Sequence, residues 1–145
     1  MDRILVIDDL PLIAIAFKEV FRSVNPSALV GYCGNIYTAL SAKTYASATY
    51  DLVILGSEQE HWSTSLEQGM WELKDRFGVP RIMLYSAVYD AEIVGRMQAA
   101  GIDAYVHRHE SVEEIREAYR QLSAGTPFIS GIFRALYYDY GHERK

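Results

Sequence analysis

Five short apolar runs separated by longer amphipathic stretches constrain this chain more than any other feature. The runs are Ile4 to Ile7, Ala28 to Cys33, Leu52 to Leu55, Arg81 to Tyr85 and Ala104 to Val106. Each is too short for a helix, and continuous apolar character is the mark of a strand covered on both faces. Between them the period changes. Leu10 to Val24 sets Ile13, Ala16, Phe17, Val20 and Phe21 on one helical stripe. Asp9 is its expected cap, and Pro11 suits a first turn. Asn35 is the expected cap of a second helix reaching about Ala46. A third helix is predicted from Ser65 to Arg76, stopping at Gly78-Val79-Pro80. A fourth spans Asp90 to Ala100, and Gly101 ends it. Ser111, with Glu114 at capping-box spacing, opens a fifth that ends near Ala124-Gly125. Strands alternating with helices predict an α/β fold: a flavodoxin-like (βα)5 three-layer sandwich on a five-stranded parallel sheet in the order 2-1-3-4-5.

In that topology a ligand crevice lies beyond the C-terminal ends of the strands. The residues predicted there are Asp8 and Asp9, Gly56 and the loop after it, Ser86-Ala87, and His107-Arg108-His109. Composition narrows the classes further. A chain of 145 residues fits one domain, and its formal net charge of -5 repels a nucleic-acid backbone. The single cysteine, Cys33, lies in an apolar stretch, so a buried inert thiol and a reducing compartment are expected. The N-terminal apolar run is short and interrupted by acids, unlike a secretory signal. No segment has the length and apolarity of a membrane span, so a soluble, cytoplasmic protein without membrane partners is expected.

Four pieces of the chain carry a resemblance. They are Ile4-Leu5-Val6-Ile7-Asp8-Asp9, Tyr50-Asp51-Leu52-Val53-Ile54-Leu55, Arg81-Ile82-Met83-Leu84-Tyr85-Ser86-Ala87 and Gly101-Ile102-Asp103-Ala104-Tyr105-Val106. In this order, and at helix-length separations, the chain resembles the receiver domain of bacterial two-component response regulators. The resemblance runs from Arg3 to about Ser130, giving a receiver at 1–130. Residues 131–145 are then a C-terminal helical extension or the start of a linker to an output domain absent from this sequence. Residues 123–130, Ser-Ala-Gly-Thr-Pro-Phe-Ile-Ser, further resemble the end of receivers in the NarL/FixJ group of transcription factors. The resemblance implies roles residue by residue. Asp8 and Asp9 match an acidic pair that holds Mg²⁺ together with a phosphoacceptor aspartate. Ser86 matches a hydroxyl that binds the phosphoryl group, and Tyr105 matches an aromatic that changes rotamer on activation. Arg108 stands where lysine is usual, and Gly56 stands where the phosphoacceptor aspartate is required.

These departures remove the implied chemistry. Phosphoryl acceptance needs a carboxylate nucleophile, and Mg²⁺ needs near-octahedral oxygen ligands. Gly56 offers no side chain, so the Mg²⁺ site at Asp8 and Asp9 is expected to be weak or lost and no cofactor is expected. Two readings of the remaining charges stand open. Either Arg108 pairs with Asp8 or Asp9 and replaces the metal, or Asp8 caps the turn, Asp9 caps the helix and Arg108 is solvated. Ser57 and Glu58 are the local candidates for a displaced acceptor. His61, His107 and His109 fall in predicted crevice loops; a transition-metal site and a pH response are conceivable there, with simple exposure the favoured expectation. Trp71 is expected in the core, and Trp62 in an exposed contact. The tyrosine-rich tail would put Ile132, Leu136 and Tyr140 on one helical stripe, either for a second protomer or following domain, or packed on its own domain.

The function expected from these residues is a degenerate receiver, not an enzyme. It would be a phosphorylation-independent interaction or dimerisation module, the regulatory half of a NarL/FixJ-type regulator. Homodimerisation or partner docking is expected through the fourth helix, fifth strand and fifth helix, with DNA reached only through the missing output domain. The alternatives are a phosphoreceiver with a displaced acceptor, and a receiver switched by another ligand in the same crevice. A flavodoxin-like enzyme would need a glycine-rich phosphate loop or a nucleophile–base set, and neither is present in the sequence.

Overall fold

The computed structural model describes residues 1–45, 48–56, 66–87, 95 and 98–135. Among these the elements run β1 (Arg3–Ile7), α1 (Pro11–Val24), β2 (Leu29–Cys33), α2 (Ile36–Ser41), a 3-10 turn (Lys43–Tyr45), β3 (Leu52–Leu55), α3 (Leu66–Arg76), β4 (Arg81–Ser86), β5 (Ala104–His107), α4 (Val112–Ser123) and β6 (Phe128–Ile129). All strand pairs are parallel, in the order β2-β1-β3-β4-β5-β6. The α/β architecture and the inner order are those expected, but the sheet has six strands. Phe128–Ile129 pairs with Ala104 and Tyr105. Two residues are too few to show a period, which is why periodicity misses this strand.

Alternation along the strands builds two core layers. Leu5, Ile7, Val53, Leu55, Ile82, Leu84 and Tyr105 meet Met70, Leu73 and Phe77 from the α3 side. Ile4, Val6, Leu52, Ile54, Met83 and Val106 meet Phe17 and Phe21 of α1 and Ile115, Tyr119 and Leu122 of α4 on the other face. Cys33 is buried, as expected. Trp71 is not in the core: it is 76% exposed. Its neighbour Met70 takes the inward position, and successive residues on a helix differ by about 100°, so one of the two must face out. On α1 the sheet-facing line is Ala14-Phe17-Phe21; Ile13 and Val20 flank it, and Ala16 faces outward.

Helix ends follow local chemistry. Asn35 caps α2 by accepting the Thr38 amide at 2.7 Å. The helix stops at Ser41, short of the expected Ala46, because Ala42 turns extended and its carbonyl goes to the Arg76 guanidinium at 3.0 Å. Ser111 caps α4 through the Glu114 amide. The Glu114 carboxylate does not close a capping box; it accepts the Gly131 amide at 3.1 Å instead. At the start of the sheet, Asp51 accepts the Asp2 and Arg3 amides, both at 2.9 Å, and these bonds hold its carboxyl below the usual range. The fourth predicted helix falls largely on residues outside those described; Gly95 and residues 98–99 are helical.

Residues 131–135 are helical and pack on their own domain. The anchor is Phe133, 1% exposed, and Ile132 is only partly covered. Leu136 and Tyr140 lie outside the described residues. Glu110 accepts the Ile132 amide at 2.7 Å, so two carboxylates hold the first amides of this short helix.

Candidate functional site: the crevice at the strand ends

The crevice is assembled by register. Ile7 pairs with Leu55, Leu55 with Leu84, and Ser86 with His107, so the next residues of the four central strands converge. The Gly56 amide donates to the Ile7 carbonyl at 2.8 Å, and the Arg108 amide to the Ser86 carbonyl at 3.1 Å. These bonds place Asp8, Gly56 and Arg108 side by side.

Asp8 is 2% exposed and fully engaged. Its Oδ1 accepts the Leu10 amide at 2.8 Å, and its Oδ2 accepts Nη2 of Arg108 at 2.6 Å. Its carbonyl accepts the Tyr32 hydroxyl at 2.7 Å. The same Arg108 nitrogen donates to the Gly56 carbonyl. The guanidinium carbon stands 5.0 Å from the centre of the Tyr85 ring, in cation–π range, and the Tyr85 hydroxyl donates to the Arg108 carbonyl at 3.4 Å. Burial raises the Tyr85 phenol above its ordinary value, and Asp8 adds to this against the opposing Arg108. Of the two carboxylates open to Arg108, it takes Asp8. Asp9 is exposed and does not cap α1. The cap position is Leu10, with no side-chain bond, because Asp8 rather than Asp9 turns toward the Leu10 amide.

Gly56 is where this site departs most from an acceptor site. A Cβ built there would fall inside Asp8 Oδ2, 3.0 Å from Asp8 Cγ and 3.1 Å from Arg108 Nη2. The Asp8 carboxylate thus lies where a side chain at 56 would begin. One Asp8 oxygen is bound to a guanidinium, the other to an amide, and the carbonyl of 56 is also taken by Arg108. This donor set does not suit Mg²⁺, which requires several oxygens open to the ion. Among the described residues no group of three or more acidic, histidine or cysteine side chains is placed to hold a metal.

Ser86 ends β4 and is 2% exposed. Tyr105 is 1% exposed, and burial pushes its phenol well above the ordinary range. Its ring meets Phe133 edge-on at 6.2 Å. His107 is not an exposed loop residue. It is the last residue of β5, 6% exposed, and packs on Phe133 at 5.3 Å and His109 at 4.9 Å between ring centres. Its Nδ1 accepts the His109 amide at 3.0 Å, and its own amide donates to Ser130 Oγ at 3.1 Å. Burial, then His109, lowers its imidazole below the usual value; Glu110 opposes this. His109 itself is exposed, as expected. Ser57, Glu58, His61 and Trp62 lie outside the described residues. Sequence reasoning missed Phe133 and Ser130 as partners of this strand end; the adjacency of Phe133 to the NarL/FixJ-like segment at 123–130 was the available signal.

A scan against models of known protein families found no match, and a search of curated proteins found none. Solved structures do match. A LuxR-family DNA-binding response regulator from Silicibacter pomeroyi superposes with TM-score 0.72 at 20% identity, over 92% of this chain and 99% of that one. A LuxR-family two-component response regulator from Aurantimonas sp. SI85-9A1 gives 0.76 at 17%, over 95% and 96%. The isolated receiver domain of RcsB from Salmonella enterica serovar Typhimurium, in the presence of the phosphomimetic BeF3⁻, gives 0.76 at 12%, over 93% and 97%. The fold is therefore that of response-regulator receivers. Among the described residues, no helix is long and apolar enough to cross a membrane.

Proposed function

We propose that this domain is an atypical receiver that works without phosphorylation, as a non-enzymatic protein-interaction or dimerisation module in signal transduction. The observation that carries this reading is the Asp8–Arg108 pair closed over Gly56. In that arrangement the guanidinium supplies the positive charge for which Asp8 would otherwise need a cation. No carboxylate stands at 56 to act as a nucleophile, so neither Mg²⁺ nor phosphoryl transfer enters the function.

The interaction face we assign is the one built from residues 90–100, Ala104–Val106 and Ser111–Leu122, used for a homodimer or a partner protein. Phe133 packs edge-on to Tyr105, a residue of the strand in this face, so tail and face would report on one another. The LuxR-family neighbours support the regulatory half of a NarL/FixJ-type transcription regulator, with DNA contacted through an output domain. A cytoplasmic site of action follows from that role.

Chromatography with light scattering on the full 145-residue chain tests the reading, with and without beryllofluoride and Mg²⁺. A dimer of unchanged mass in both conditions is expected, with no phosphoryl adduct by mass spectrometry after acetyl phosphate. A dimer that appears only with the mimic, or an adduct at Glu58, overturns it.

A further inference from the structure

We infer that the outer edge of β2 is a docking site for an acidic, extended peptide segment of a partner protein, which would add to the sheet as a further strand. The surface lies away from the crevice, at the start of the sheet. It deepens the interaction-module reading by naming a second surface and its partner chemistry.

Three observations carry it. First, β2 is the outermost strand of the sheet. The Leu29 amide bonds to the Asp2 carbonyl and the Cys33 carbonyl accepts the Asp8 amide, both on the β1 side. Parallel pairing alternates, so the N–H and C=O of Val30 point away from β1. Neither has a partner among the described residues. No proline or bulge blunts the strand, and Leu29 beside Val30 is 66% exposed.

Second, a cleft of about 310 Å³ straddles this edge, and Arg3, Lys18 and Arg22 line it without any carboxylate. None of the three makes an ion pair among the described residues. Arg22 reaches only the Pro26 carbonyl, at 3.4 Å, and Arg3 lies over the Tyr50 ring at 5.8 Å. Arg3 also interacts with the Asp51 carboxylate, so in a chain of net charge -5 the local reversal of sign rests mainly on Lys18 and Arg22.

Third, the cations flank the edge from both faces. Lys18 and Arg22 are one helical turn apart on α1, on the layer of Ile4 and Val6. Arg3 is two residues from Leu5 and shares its face, where Tyr50 also packs. An added strand projects successive side chains to opposite faces. Acidic residues at alternate and intervening positions would therefore meet Lys18 and Arg22 on one side and Arg3 on the other. Main-chain bonds to Val30 would supply register, and the apolar wall of Leu29 and Tyr50 would supply contact area. A second copy of the same edge is a poor occupant, because cations would face cations.

The test uses the full chain, isotope-labelled, and a capped octapeptide of the repeat Glu-Glu-Val-Val, which puts glutamates on both of its faces. Perturbation of the Leu29, Val30 and Gly31 amides is expected. A peptide N-methylated on the ladder-facing amides should bind at least about tenfold more weakly, since it keeps the charge but loses the main-chain donors. The variant K18E/R22E, changed at two exposed positions, should also weaken binding about tenfold or more while leaving the fold intact. Equal binding of the N-methylated peptide shows attraction of a polyanion without strand addition and overturns the inference. So does the absence of any perturbation, which would leave the cations as guards against edge-to-edge aggregation. K18E/R22E should not change the oligomeric mass, so loss of peptide binding and failure of the dimer reading are separate results.

Discussion

The crevice and the outer surface of α4 both hold arginines facing carboxylates, yet the two arrangements differ in kind. Arg108 and Asp8 stand 100 residues apart in the chain, with side chains 19% and 2% exposed. They join the ends of β1 and β5 across the sheet. On α4, Arg116 meets Glu113 and Arg120 meets Glu117, each within one helical turn and open to solvent on at least one side. The sheet brings the first pair together; helix geometry alone supplies the other two. Burial makes the crevice pair interdependent, because either partner left alone is an uncompensated charge in a poorly solvated place. The surface pairs lose little when parted.

Breaking the crevice pair gives the largest expected effect. Arg108→Met leaves Asp8 buried with a single amide donor, and should cost about 3–5 kcal/mol in chemical denaturation. Adding Asp8→Asn should recover much of that loss, since the double variant buries no charge. Equal stability of the single and double variants would show that charge is not what couples them. Next in size is Gly56→Asp, which restores the carboxylate a phosphoreceiver uses. Its Cβ needs the space of the Asp8 carboxylate. Overpacking of this kind costs about 1–3 kcal/mol, and like charges add to it. The expected outcome is a less stable protein with no mass gain from acetyl phosphate; a stable variant that accepts the phosphoryl group would show that Arg108 and Asp8 yield readily.

The sheet was legible in the sequence, and this pair only as one of two open readings. The runs Ile4 to Ile7, Leu52 to Leu55 and Ile82 to Leu84 are continuous and apolar, so burial on both faces leaves no other element for them. Charge puts the Arg108 pairing forward as one of those two: two neighbouring carboxylates and a missing one favour a nearby cation, and a solvated Arg108 is the other. What the sequence did not show is direction. Asp8 and Asp9 are equivalent as letters, yet strand alternation turns one inward and the other to solvent. Met70 and Trp71 are both apolar, and only the helix phase set by Leu73 and Phe77 decides which is buried. A polar residue after Val106 predicts the start of a loop at His107; the strand continues one residue further, under the cover of Phe133. Phe133 and the strand Phe128–Ile129 stayed hidden because their partners are more than twenty positions away and no period announces them.

His107 and His109 carry the buried-against-exposed comparison to a smaller scale. Burial lowers the His107 imidazole below its ordinary value of about 6.5. Between the lowered and the ordinary value the unfolded chain binds more protons than the folded one. The contribution of His107 is therefore complete above the ordinary value and is lost as pH falls through the folded value. Thermal unfolding followed from pH 8 to pH 5 should decline more steeply in the wild type than in His107→Asn. His109→Asn, changed at an exposed position, should keep most of the wild-type slope. Parallel curves for the wild type and His107→Asn would mean that the imidazole is hydrated and that Phe133 does not seal the strand end.

The smallest effect belongs to Arg120 and Glu117, 3.5 Å apart with side chains 48% and 44% exposed. Glu117 also accepts from the Gln121 amide group at 2.8 Å, so it keeps a partner when Arg120 is removed. A double-mutant cycle to alanine should give a coupling of about 0.5 kcal/mol or less. Raising salt toward about 1 M should remove most of it, because the Debye length there falls to about 3 Å, comparable with the separation of this exposed pair. The Asp8–Arg108 coupling should survive the same salt, since neither solvent nor ions reach Asp8. If the two couplings fell together as salt rose, the crevice pair would be a surface contact in a fold, and the position of Gly56 would be open to whatever binds there.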